Sequence, residues 1–174
     1  VHRLREPQRV ELHVAGGEPD AAFAGELRAL AVGLDVRFHG PYDARALDAH
    51  PVSAVHAFIS GTLAHESFGL VLDEAVALGL PLVLPRSGAY AERLADEQGA
   101  LFYAQGDEAD LSRALQRLLD EPGLLAGLRA RLPEPQRFTP SGEAQVAALL
   151  ALYEDARRAG PPAARVVPER ERIW

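Results

Sequence analysis

The stretch AVHAFISGTLAHESFGLVLDEAVALGLPLVL, residues 54–84, contains the pattern that decides the fold. Its two ends, Ala54 to Ile59 and Pro81 to Leu84, are short apolar runs of the kind that form buried strands. Between them, Phe68 to Leu78 is apolar over a length typical of a helix. The stretch therefore predicts a strand, a helix and a second strand, which together form a parallel βαβ unit with a right-handed crossover.

The same alternation continues on both sides of this unit. Further strands are predicted at Val10 to Ala15, Val36 to His39 and Leu101 to Tyr103. Helical patterns lie at Asp20 to Val32, Ala44 to Leu47, Tyr90 to Glu97, from Asp110, at Leu124 to Arg131 and from Ser141. We therefore expect an α/β fold over residues 1–159, a Rossmann-like parallel sheet with helices on both faces. Residues 160–174, rich in Pro and Arg, are predicted to be a mobile tail.

Composition excludes several classes of function. The net charge is -7 and all 18 basic residues are arginine, so no basic surface typical of nucleic-acid binding is expected. Cysteine is absent, which excludes disulfides and thiolate metal sites. No apolar run approaches the roughly 20 residues that span a bilayer, so no transmembrane segment is expected. A cytoplasmic location is expected, with peripheral membrane association of the full-length protein left open.

Two carboxylates flank the predicted start of the central helix. Glu66 precedes this helix and Glu74 lies within it, so both can face the crevice at the carboxyl ends of the strands. The amides of residues 67–71 belong to the helix start, and unpaired amides there suit a diphosphate. Carboxylates accept charge-assisted hydrogen bonds from sugar hydroxyls. The alternative is that both acids, with Asp73, are ordinary surface charges; the apolar character of the helix predicts burial and favours the first interpretation.

This motif resembles the group 1 retaining glycosyltransferases of GT-B fold. The resemblance rests on E-x(7)-E from Glu66 to Glu74, followed by Gly79-Leu-Pro81. It extends over about residues 8 to 155 of the sequence. Four further segments match the family: Gly16-Gly17 after a strand, V-R-F-H-G at 36–40, the turn from Gly88 to Glu92, and Gly106-Asp107. In the family, the strand that corresponds to residues 36–40 contacts the nucleobase at its end. The resemblance is to the C-terminal, nucleotide-sugar-binding domain of such an enzyme.

The resemblance implies roles for individual residues. Glu66 would be the catalytic residue, contacting hydroxyls of the donor sugar near the reacting carbon, and Glu74 would hold the ribose hydroxyls. The remaining donor-binding residues would be Ser67, Phe68, Gly69, Leu70 and Val71 through their backbone, with Gly16, Gly17, His39, Gly40 and His65. The implied donor is a nucleotide-diphosphate sugar, transferred with retention, and no metal or other cofactor is expected.

Several features depart from the family pattern. The family's Arg and Lys for the diphosphate precede this segment, and no Lys exists in the chain. Val1 to Pro7 resembles the end of a helix, so a first βα unit is expected to be missing, as is the acceptor-binding N-terminal domain. His56 stands where an Asp is usual, and Ala89 replaces a second Gly. We expect the chain alone to be inactive, while the full-length protein is a hexosyltransferase.

Some interpretations stay open at this level. His65 is either a hydrogen-bond donor to substrate or structural, His39 either flanks the base or is a surface residue, and Arg86 is either a phosphate ligand or a loop charge. The histidine spacing does not suggest zinc, and neither a nucleophile elbow nor G-x-G-x-x-G is present. The alternative function is a non-catalytic nucleotide-binding or interaction module that keeps the fold.

Overall fold

The structure is a computed structural model that describes residues 1–17 and 20–160, with the backbone alone at residues 136 and 137. It divides into two compact units, residues 1–135 and the part of the chain from residue 136. The strands are β1 (Glu11–Ala15), β2 (Asp35–Gly40), β3 (Phe58–Ile59), β4 (Leu82–Pro85) and β5 (Ala100–Tyr103). The α-helices are α1 (Ala21–Leu30), α2 (Leu70–Ala77), α3 (Gly88–Arg93), α4 (Glu108–Asp120), α5 (Leu124–Ala130), α6 (Pro135–Phe138) and α7 (Gly142–Ala159).

The strands pair in parallel throughout the described residues. β1 pairs with β2, and β3, β4 and β5 pair in that order. The predicted α/β class with parallel strands is therefore confirmed. The predicted single sheet is divided into two, since β3 contains only Phe58 and Ile59 and pairs with β4 alone among the described strands. The carboxyl ends of β3, β4 and β5 lie at one edge, where an open parallel sheet binds ligands.

Several predicted boundaries are wrong. β3 is shorter than predicted, since only Phe58 and Ile59 pair with β4. Ala54 instead ends a 3₁₀ helix, Pro51–Ala54, in which Pro51 fixes φ at the first turn and His50 caps the amide of Val52. A second 3₁₀ helix, Ala44–Ala49, stands where an α-helix is expected. The segment before β1 forms turns and a 3₁₀ helix, Pro7–Arg9, rather than the end of an α-helix. The predicted linker at residues 133–140 contains α6.

The core of the first unit lies around β4 and β5. All four residues of β4 are buried, which agrees with an apolar run covered on both faces. Val83, Leu101 and Leu128 are fully excluded from solvent or nearly so, and each contributes on the order of 1.5–3 kcal/mol of transfer free energy. Side chains of α4 and α5 complete this core through Ala114 and Leu128. The buried strand β4 thus supports β3, which leads into the loop that contains Glu66.

The second unit contains the helix α7. As predicted, Ser141 caps it, with its hydroxyl oxygen accepting from the amide of Ala144 at 3.2 Å. The predicted apolar stripe of Val146, Leu149, Leu150 and Tyr153 is exposed. No helix in the described part of the chain is long and apolar enough to cross a membrane. The predicted tail, apart from Gly160, lies outside the described residues.

Candidate functional site

The side chain of Glu66 holds the turn that leads into α2. Its Oε1 atom accepts hydrogen bonds from the amides of Gly69 at 3.0 Å and Phe68 at 3.4 Å. The prediction that all amides of residues 67–71 are unpaired is therefore wrong at these two positions, because the preceding acid is close enough to use them. Within the described residues, the amides of Ser67, Leu70 and Val71 have no acceptor, and they are the ones available to an anion.

Gly69 is required by the packing of the turn ahead of α2. Its φ of +80° places it in the left-handed region, and a Cβ there would lie 2.8 Å from Cε1 of Tyr90. Tyr90 is fully buried, so the ring cannot move aside cheaply. A side chain at position 69 would therefore collide with the buried ring of Tyr90 in α3.

The backbone of Glu66 is held by the start of α3. The amide of Ala89 donates to the carbonyl oxygen of Glu66 at 2.9 Å. Gly88 has a φ of +49°, and a Cβ at this position would lie 2.1 Å from that same oxygen. Ala89, which replaces the second glycine of the family turn, is buried without such a conflict. Gly88 is thus the glycine that this turn requires.

Glu74 is half-buried and engaged by a tyrosine from another loop. The hydroxyl of Tyr42, which follows β2, donates to Oε2 of Glu74 at 2.9 Å. Burial raises the pKa of Tyr42, and the hydrogen bond to Glu74 and the negative charge of Glu74 raise it further. The hydroxyl therefore stays a donor at neutral pH. Glu74 is therefore not a fully solvated charge. It faces the loop at the carboxyl end of β2.

Asp73, by contrast, has a structural partner. Its carboxylate forms an ion pair with Arg93 of α3, and the two side chains are 13% and 19% exposed. Arg93 also donates to the carbonyl oxygen of Phe68 at 3.0 Å, and its guanidinium lies over the Phe68 ring. This contact joins α3 to the approach to α2. Loss of either partner would leave the other charge poorly solvated, so Asp73 has a structural role in this arrangement.

The apolar start of α2 is more exposed than its composition suggests. Phe68 is 53% and Leu70 is 70% exposed, and Ser67 is also exposed, whereas Leu72, Ala75 and Val76 are buried. The expectation of a helix buried all round is therefore wrong for its first turn. One face of α2 packs into the core, while the turn that carries the amides of Leu70 and Val71 is accessible.

Two residues with open interpretations acquire partners at this edge. Nδ1 of His65 lies 3.0 Å from the hydroxyl of Ser87, which is buried just ahead of α3. Arg86 donates to Asp96 at 2.8 Å and lies over the ring of Phe102. Arg86 is thus engaged in an exposed ion pair, and its interpretation as a phosphate ligand stays a prediction. His65 remains exposed beside Glu66.

The glycine turn and His39 lie at the carboxyl ends of β1 and β2. The amide of Gly16 donates to the carbonyl oxygen of Gly40 at 2.8 Å, and Gly17 is exposed beside it. Nε2 of His39 lies 2.9 Å from Nδ1 of His13, and the two rings are stacked. His39 is thus a partly buried member of a cluster rather than a simple surface residue.

This histidine cluster extends further and was not predicted. His50 contacts His39 edge-on with ring centroids 5.2 Å apart, and the ring centroid of Tyr42 lies 5.9 Å from that of His50. The cluster depends on strand register, since His13 lies opposite Arg37, two residues before His39. Register between distant strands cannot be read from spacing. Within residues 1–17 and 20–160, no group of three or more potential ligands is arranged to hold a metal ion.

The cluster predicts a pH dependence of stability. Burial first, and then the charges of His13, His50 and Arg37, holds the pKa of His39 below its ordinary value of 6.5. The unfolded chain therefore binds the proton of this histidine more readily than the folded chain does. Neutral His39 thus contributes to the free energy of unfolding above pH 6.5, and this contribution is lost as the pH falls through 6.5 toward the lower folded pKa. We expect His39→Gln to reduce the slope of unfolding free energy against pH in urea titrations below neutrality. An equal reduction in the control, His56→Gln at an exposed position, would contradict this assignment.

The family of the chain follows from comparison with known proteins. The sequence profile described as Glycosyl transferases group 1 matches residues 1–121, a range that contains all five strands and every predicted site residue. The chain belongs to this family. As a group 1 glycosyl transferase, it carries Glu66 and Glu74 at the carboxyl edge of its strands.

Curated relatives of this group 1 glycosyl transferase are much longer proteins. D-inositol 3-phosphate glycosyltransferase 2 of Catenulispora acidiphila is 35% identical over 132 residues, which cover 70% of this chain and 30% of the relative. Phosphatidyl-myo-inositol mannosyltransferase of Propionibacterium freudenreichii is 36% identical over 89 residues, which cover 50% of this chain and 23% of that protein. The chain thus spans less than a third of the length of either.

Solved structures share the α/β architecture of this glycosyl transferase. The HepE protein of Anabaena, in complex with UDP and glucose, superposes with a TM-score of 0.67 at 19% identity, over 84% of this chain and 41% of that one. Sucrose-phosphate synthase of Thermosynechococcus elongatus gives 0.66 at 26% identity, over 86% of this chain and 39% of that one. The fold is therefore that of the GT-B glycosyltransferases.

Proposed function

We propose that this chain is the donor-binding half of a retaining glycosyltransferase, which transfers a hexose from a nucleotide-diphosphate sugar to an acceptor. The observation that carries the proposal is the placement of Glu66 and Glu74 on either side of the accessible amides of Leu70 and Val71. Acceptors for hydroxyls and donors for an anion thereby occur together, which is what a sugar joined to a diphosphate requires.

The proposed roles follow from this order of groups. Glu74 accepts the ribose hydroxyls, while the amides of Leu70 and Val71 and the dipole of α2 bind the diphosphate. Glu66 accepts hydroxyls of the donor sugar near its reacting carbon. As the bond to the diphosphate breaks, negative charge grows on the leaving group, and the fixed amides stabilise it. In a front-face reaction the acceptor hydroxyl then bonds to the same side of the sugar ring and gives its proton to the departing diphosphate, which retains the configuration.

The remaining parts of the proposal concern the whole protein. We propose that the acceptor binds an N-terminal domain outside this chain, that catalysis is metal-independent, and that the protein is cytoplasmic. The names of the curated relatives support hexose transfer, since one is a mannosyltransferase. The complex of the Anabaena neighbour supports the choice of UDP as the first nucleotide to test.

The proposal is tested by nucleotide binding. Calorimetry with UDP, GDP and ADP on the wild-type chain should identify the preferred nucleotide, and Glu74→Ala should weaken its binding. The expected loss is about 1–3 kcal/mol, because a charge-assisted acceptor of the ribose hydroxyls is removed.

The matched control is Glu26→Ala, which removes an exposed carboxylate from α1 and should leave affinity unchanged. Equal affinity of wild type and Glu74→Ala for every nucleotide would reject the assignment of Glu74. Absence of binding by the wild type would favour the interaction module that keeps the fold without the activity.

A further inference from the structure

Tyr42 and Glu74 come from two separate elements and meet at the carboxyl edge of the strands. We propose that Tyr42 is a positioning residue, which holds the Glu74 carboxylate for the ribose of the nucleotide and thereby increases discrimination between ribonucleotides and 2′-deoxyribonucleotides. This inference rests on the proposed function, because it assigns a specificity determinant to the same donor site.

The first support is how the carboxylate is held. Tyr42 donates to Oε2, and among the described residues Glu74 has no other side-chain hydrogen bond, so Oε1 keeps its full capacity to accept. A glutamate side chain loses considerable rotational freedom when a ligand fixes it. Tyr42 fixes Glu74 before the ligand arrives, which reduces that entropic cost of binding.

The second support is how the tyrosine itself is held. Its ring packs against His50 with a centroid distance of 5.9 Å. His50 accepts the amide of Val52 at Nδ1 and contacts His39 edge-on, and His39 stacks on His13. This aromatic row connects the ends of β1 and β2 to the acid of α2. The ring of Tyr42 is therefore held by His50, independently of the Glu74 carboxylate that its hydroxyl orients.

The chemistry explains why the effect concerns the ribose. A ribose presents two neighbouring hydroxyls, and a carboxylate of fixed orientation can accept from both at once. A 2′-deoxyribose presents one of them, so it gains less from a correctly oriented carboxylate. If Tyr42 orients Glu74, removal of its hydroxyl should weaken ribonucleotides more than deoxyribonucleotides.

The test is calorimetry on Tyr42→Phe, which keeps the ring against His50 and removes the hydroxyl. With the preferred nucleoside diphosphate, affinity should fall about threefold to tenfold, the usual effect of one hydrogen bond. With its 2′-deoxy counterpart the fall should be smaller, so the ratio of the two affinities decreases. Tyr153→Phe, at an exposed position of α7, is the matched control and should change neither affinity.

A double-mutant cycle distinguishes positioning from a general structural effect. In the Glu74→Ala background, Tyr42→Phe should cause no further loss, because the group through which it acts is absent. A further loss in that background, or wild-type affinities in Tyr42→Phe while Glu74→Ala binds weakly, overturns this inference alone. If the wild type binds no nucleoside diphosphate, the proposed function fails and this inference fails with it.

Discussion

Gly88→Ala is expected to lower the free energy of unfolding by about 4 kcal/mol, which places it among the most damaging single substitutions. The new Cβ would lie 2.1 Å from the carbonyl oxygen of Glu66, far inside van der Waals contact. Both atoms are fixed to the backbone, so no side-chain rotation relieves the overlap. Relief requires separation of α3 from Glu66, which breaks the hydrogen bond from Ala89 and opens the buried contact of Tyr90 with Gly69.

Urea unfolding monitored by circular dichroism measures this cost. Gly33→Ala is the matched control, since Gly33 has a φ of +81° and no atom lies within 4 Å of the position that a new Cβ would take. It should cost about 1–2 kcal/mol, the strain of a left-handed alanine alone. If Gly88→Ala is no more destabilising than Gly33→Ala, the close approach of α3 to Glu66 does not exist in solution.

Glu66→Gln is expected to reduce sugar transfer by the full-length protein about 100-fold, equivalent to about 3 kcal/mol of transition-state stabilisation. The amide side chain has one oxygen that can still accept from the amides of Phe68 and Gly69, so the start of α2 should persist. The lost charge weakens the acceptance of sugar hydroxyls near the reacting carbon, where positive charge develops in the transition state.

Two further measurements separate this role from a structural one. Glu66→Gln should bind the nucleoside diphosphate without its sugar as tightly as the wild type, whereas Glu74→Ala should not. Its melting temperature should also remain close to that of the wild type, as should that of the control Glu26→Gln. Normal transfer rates in Glu66→Gln, or equal losses of nucleotide affinity in both site variants, would show that Glu66 does not act on the donor sugar.

The amino-acid sequence by itself determined the order and type of most elements. Hydrophobic runs identify strands such as Leu82–Pro85, and local signals identify helix starts such as Asp20 and Ser141, because these properties depend on neighbours a few residues apart. The spacing of Glu66 and Glu74 around a helix start is local in the same sense. These features, with the glycine turns, sufficed to indicate the family that the comparisons confirm.

Only the tertiary structure decided how distant residues combine at the site. It shows that Glu66 accepts hydrogen bonds from two of the amides that were expected to be unpaired. It also shows that Arg86 is paired with Asp96 and that one face of α2 is exposed. It also brings Tyr42 to Glu74 and joins three histidines from separate segments. These contacts depend on strand register and helix packing, which are set by the sum of many weak interactions across the core rather than by local spacing.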